Sequence, residues 1–98
     1  MRRKPRLGDV VEIDWLDSQA LHFGWRAPSE YVEAVKEPQG YRTAGHWLGR
    51  HAGHALVVSS ITVANRHVTE GFTIPASAIV KLRVLSRASK ATRKALRR

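Results

Sequence analysis

Apolar residues along this chain recur mostly at every second position, and turn-forming residues interrupt the pattern at short intervals. After Gly8-Asp9, the residues Val11, Ile13 and Trp15 alternate with Val10, Glu12 and Asp14, which predicts a strand over residues 10–16 with the first set buried. Residues 41–48 predict a second strand and 49–53 a turn; residues 55–64, rich in Val, Ile, Ser and Thr, predict a third strand. Asn65-Arg66 marks a connection to a fourth strand over 67–74, which Pro75-Ala76-Ser77 ends because proline has no N–H for a central ladder. A fifth strand over 78–85 has Ile79 on its approach, then Val80, Leu82 and Val84 alternating with Lys81 and Arg83.

The first two strands are separated by a long connection. Asp17-Ser18 and Gly24 supply turn chemistry there, and Phe23 and Trp25 are expected to fold back onto the core. Ala27-Pro28-Ser29-Glu30 reads as a helix start, Tyr31, Val32 and Val35 offer an apolar stripe, and Pro38 and Gly40 stop the helix. Five short strands with one short helix in the first long loop predict a mostly β fold, a small five-stranded SH3-like or Sm-like barrel. From Ser86 the pattern changes to good helix formers without a turn residue. On a helix, Arg87, Lys90, Lys94 and Arg97 share one face, while Ala88, Ala91 and Ala95 lie largely on the other. So short a helix is marginal alone and its like charges repel, so the expectation is a basic, helix-prone tail, frayed until phosphates neutralise it.

The 98 residues make one domain, and a hydrophobic fraction of 43% is that of a folded globule. The absence of cysteine excludes disulfides, thiolate metal ligands and cysteine nucleophiles. No apolar run approaches the ~20 residues that span a bilayer. The basic start, Arg2-Arg3-Lys4, runs into Asp9, Glu12 and Asp14 rather than an apolar segment, so no signal peptide is expected. These features predict a soluble cytoplasmic protein with no membrane partner.

Charge changes the picture most. Of the 17 Lys and Arg residues, ten lie in residues 1–6 and 86–98, where there is no acid. Residues 7–85 hold the other seven and all eight Asp and Glu, so the body of a chain of net charge +9 is essentially neutral. The organisation expected is a basic arm (1–7), a barrel (8–85) and a basic tail (86–98).

The residues Val11-Glu12-Ile13-Asp14-Trp15-Leu16-Asp17-Ser18, then Gly24-Trp25, then Ile74-Pro75 with Ile79 and Leu85, form a skeleton over residues 8–85. It resembles a group of small phage-encoded and prophage-encoded SH3-like proteins of unassigned function with a V-x-W-x-D-S, G-W, I-P-x-x-x-I layout. The resemblance implies a barrel-like fold and a phage accessory role, on DNA or against a host protein.

The residues themselves point to an acidic partner, with nucleic acid foremost. Arg87, Lys90, Arg93, Lys94, Arg97 and Arg98, assisted by Arg2, Arg3, Lys4 and Arg6, are expected to contact phosphates and release counterions, without reading sequence. Trp25, Tyr41 and Trp47, with Arg42 and Arg50 nearby in sequence, are candidates for stacking on unpaired bases; alternatively Trp25 and Trp47 cover the barrel ends, with Trp15 in the core. The competing readings are a protein–protein module that docks on a host or phage protein, and self-assembly through strand edges. His46, His51 and His54 cluster around a glycine-rich turn without a carboxylate, and hydrogen-bonding loop histidines rather than a metal site are expected. Ser59 and Ser60 have no nucleophile elbow, Asp14 and Asp17 need not converge, and no phosphate-binding glycine loop occurs, so neither catalysis nor a cofactor is expected.

Overall fold

The computed structural model describes residues 4–17, 24–35, 39–62, 64 and 66–97. Among them, five strands and two helices follow in the order β1 (Val10–Leu16), α1 (Pro28–Glu33), β2 (Gly40–His51), β3 (His54–Thr62), β4 (His67–Pro75), β5 (Ile79–Ser86) and α2 (Lys90–Leu96), with a single 3-10 turn over Ala76–Ala78 between β4 and β5. The strands form one antiparallel sheet in the order β4-β3-β2-β1-β5, with β4 and β5 as free edges.

Strand β2 serves two partners. Its first part pairs with β1, from Leu16↔Gly40 to Val10↔His46, and its last part pairs with β3, from His46↔Val58 to His51↔His54. The change of partner falls beside Gly45, where a Cβ would lie 2.8 Å from the Val58 carbonyl oxygen, a distance no side chain tolerates against backbone. The sheet curls strongly as a result. Strands three places apart in a flat sheet are about 14 Å apart, yet the ring of Trp15 on β1 lies 5.6 Å from that of Phe72 on β4.

The core fills the inside of this curl. Val11, Ile13, Trp47, Ala55, Val57 and Ile74 are buried together, with Trp15, Ile79, Leu82 and Val84 packed against them. The alternation predicted for β1 therefore holds. In β5 it does not: the ladder steps from Asp14↔Lys81 to Trp15↔Ile79, so Val80 is bulged out and 62% exposed, and the inward set is Ile79, Leu82 and Val84. Another irregularity lies between Trp47 and Gly49; β2 runs on through the expected turn at 49–53 to His51, and the reversal is confined to Ala52-Gly53.

The long connection also departs from expectation. Trp25 does not fold back; it is fully exposed. Helix α1 begins at Pro28 as predicted, but it buries none of its residues, and Val32 and Val35 stand in solvent. The Tyr31 hydroxyl donates to the Gly24 carbonyl at 2.6 Å, and Arg26 pairs with Glu30 one turn on. The expectations for Ser18, Phe23, Pro38 and Asn65 lie outside the described residues.

Candidate nucleic-acid interface

The basic C-terminal segment is folded onto the body through one buried carboxylate. Asp9 is fully buried just before β1. Its Oδ2 accepts the Arg6 backbone N–H at 2.9 Å and the Arg87 Nη1 at 2.6 Å, and its Oδ1 accepts the Ala88 N–H at 2.8 Å. A second bond from Arg87 Nη1 reaches the Lys4 carbonyl at 3.0 Å. Burial pushes the Asp9 carboxyl up. The N–H donors of Ala88 and Arg6 and the Arg87 guanidinium outweigh it and hold the group below its ordinary value. Both chain ends are thus fastened to one oxygen pair, with no buried side-chain polar atom left unsatisfied among the described residues.

This junction starts helix α2. The Ser89 hydroxyl accepts the Thr92 N–H at 3.1 Å as N-cap, and Arg93 and Lys94 sit in the last turn, where the helix dipole favours cations. The helix docks over Gly8: a Cβ there would lie 3.0 Å from Leu96 Cδ1 and Thr92 Cγ2 and 3.1 Å from Ala88 Cβ, and the glycine holds φ +87. Ala95 is buried in the contact, while Ala91 is exposed. The docked face is therefore Ala88, Thr92, Ala95 and Leu96. In place of a frayed tail, residues 90–96 are helical, because tertiary contacts supply what an isolated segment lacks. Ser89→Ala is expected to cost about 1 kcal/mol of helix stability, read as faster hydrogen exchange at Thr92 and Arg93.

Docking turns the charged residues outward. Lys90, Arg93, Lys94 and Arg97 line one shallow depression of about 350 Å³, and no other described residue lines it. Among the described residues no carboxylate pairs with any of the four. Arg6 and Lys4 lie beside the start of α2 through their bonds to Asp9 and Arg87. Arg50 is exposed near the end of β2, and Arg66 lines with Arg97, Leu7, Leu48, His51 and Leu96 an open groove of about 800 Å³.

Two of the residues expected to contact phosphates are engaged by carboxylates of the chain itself. Arg87 precedes the helix rather than lying on its outer face, and its guanidinium is engaged by Asp9 and the Lys4 carbonyl. Arg42 is engaged on the sheet: its Nε donates to Asp14 Oδ1 at 2.7 Å, while Arg83 from β5 donates to Asp14 Oδ2 at 2.7 Å and to Glu12 at 2.8 Å. The Arg42 and Arg83 guanidinia together hold the Asp14 carboxyl far below its ordinary range, and the carboxylates in turn raise both arginines. Arg2, Arg3 and Arg98 lie outside the described residues.

The stacking candidates separate. Trp47 is 6% exposed, a core residue with no face for a base. Tyr41 stacks on Trp15 with centroids 5.0 Å apart and is 44% exposed, and Phe72, on the other side of Trp15, is 43% exposed. Trp15 itself is half-buried, and its Nε1 donates to Thr43 Oγ1 at 3.0 Å. Trp15 had no candidate role beyond the core; a strand ending in Trp opposite Tyr was the sequence signal for this cluster. The histidines each donate to a different backbone carbonyl, His46 to Gly8, His51 to Leu48 and His54 to Ala52. Among the described residues no group of His, Asp and Glu converges as a metal site, and no helix is long and apolar enough to cross a membrane.

Set against protein-family models, curated proteins and solved structures, the chain matches none of them.

Proposed function

We propose that this chain binds the phosphate backbone of nucleic acid, without reading sequence, through the cationic surface formed by α2 and residues 4–6. The observation that carries this reading is the depression lined, among the described residues, by Lys90, Arg93, Lys94 and Arg97, on a docked helix and its C-cap. A prepaid helix presents its cations without the entropy of ordering a tail, and unpaired cations release counterions from the polymer they meet. The role is that of an accessory protein of phage type, in the cytoplasm of a bacterial host, and not of an enzyme; the resemblance over residues 8–85 supports it. An SH3-like barrel is the finer reading of the fold, supported by the strand order, the 3-10 turn before β5 and the Trp15–Phe72 contact.

With about five cations on phosphates, log K should fall against log salt with a slope of about −4 to −5. Fluorescence anisotropy with a labelled oligonucleotide over a salt series checks this; no binding at low salt overturns the proposal.

A second reading has its own observation. Trp25, Tyr41, Phe72 and Val80 expose apolar surface at the end of the sheet away from α2, which suits docking on a host or phage protein.

A further inference from the structure

The cations and the aromatic residues occupy opposite ends of the molecule. Helix α2 docks at Gly8 and Asp9, while Trp15 and Tyr41 pair six residues further along β1, about 20 Å away at strand rise. Phe72 joins them through its contact with Trp15. Trp25 and Tyr31 belong to the connection that leaves β1 at Leu16 and enters β2 at Gly40, so they share that end. The described carboxylates follow the aromatics: apart from the engaged Asp9 and Glu70, which accepts from Ser59, they lie on β1 or in that connection. At the cationic end the described aromatic is Trp47, and it is buried.

Single-strand binders gain their preference by interleaving aromatic platforms with cations, each stacked base contributing about 1–3 kcal/mol. Here, among the described residues, no Trp, Tyr or Phe ring is exposed beside α2; the His51 imidazole lines the groove with Arg97 and is bonded to the Leu48 carbonyl. What remains is charge density. A duplex carries one charge per ~1.7 Å of axis, and each phosphate neutralised releases about 0.9 counterion against about 0.7 for a single strand. Resting on the nucleic-acid reading above, we infer that the α2 surface selects the double-helical backbone over single strands. For about five contacts, the two salt slopes differ by about one unit, which at ~0.1 M salt amounts to roughly a tenfold preference for duplex.

The experiment uses the whole chain, with labelled probes of about two helical turns (~20 base pairs): duplex DNA, duplex RNA and the matching single strands. A roughly tenfold tighter affinity for either duplex, with a steeper salt slope, is the expected result, and the DNA and RNA arms name the source of the backbone. Tyr41→Ala is expected to leave single-strand affinity unchanged. Single strands bound as tightly as both duplexes, or single-strand affinity lost in Tyr41→Ala, overturns the duplex inference while leaving phosphate binding standing. No binding of any probe overturns the nucleic-acid reading itself, and the inference with it.

Discussion

Asp9→Asn is expected to destabilise the protein by about 2–3 kcal/mol and to release α2 from the body. The carboxylate accepts three donors, two backbone N–H groups and the Arg87 guanidinium, from a fully buried position. An amide of the same shape offers one acceptor oxygen and turns an NH₂ toward the remaining donors, leaving at least one without a partner. Breaking a buried pair costs about 3–5 kcal/mol. The smaller figure is expected because Arg87, with 32% of its side chain accessible, can turn toward water. In a domain of this size the loss corresponds to a Tm lower by about 10–20 °C. Amide exchange at Ala95 and Leu96 should accelerate more than exchange at Val11 or Ile13. An unchanged Tm with α2 still protected would show that the helix is held by Gly8 packing alone.

The same carboxylate gives a pH dependence. Its folded value lies below the ordinary 3.8, so its contribution is complete above the ordinary carboxylate range and is lost as pH falls through the folded value. Wild type should therefore lose stability below about pH 4. Asp14, also lowered, adds to that acid limb in both proteins. The difference between wild type and Asp9→Asn isolates Asp9: it should shrink toward acid and be constant at neutral pH.

Replacing Lys90, Lys94 and Arg97 together by Gln is expected to weaken nucleic-acid binding about 10²–10³-fold at ~0.1 M salt and to reduce the salt slope by about 2.7. Glutamine keeps helix propensity close to that of the residues it replaces. All three are exposed, and the docked face of Ala88, Thr92, Ala95 and Leu96 is untouched. Arg42→Gln, which removes one charge away from α2, serves as the per-charge control. Its guanidinium is committed to Asp14 and Glu12, so binding should change little. A loss from Arg42→Gln one third as large, on a logarithmic scale, as that from the triple variant would mean that net charge alone governs binding, not the α2 surface.

Much of the architecture was readable in advance, and for local reasons. Period-two alternation needs only the pleat, so β1 and its buried Val11 and Ile13 followed from the residues themselves. The helix start at Pro28, the stop of β4 at Pro75 and the helical character of residues 90–96 rest equally on local chemistry. Val80 was misassigned to the core because a bulge depends on how β5 meets β1, which no single strand encodes. Trp25, Val32 and Val35 were expected inside from their apolarity, but all three are exposed.

The candidate site shows the same division more sharply. Composition by position alone established that the basicity belongs to the two ends of the chain and that the body is neutral. Charge is a property of residue types, so no fold is needed to count it. Which of those charges are free is a different matter, because an ion pair depends on side chains distant in sequence. Asp9 lies 78 residues from Arg87, yet it joins the ends, removes Arg87 from the outer surface and sets α2 in place. Asp14 engages Arg42 across 28 residues, though that side chain stays largely exposed. The separation of cations from aromatic rings also came only from the fold, since it is the length of β1 that holds them apart.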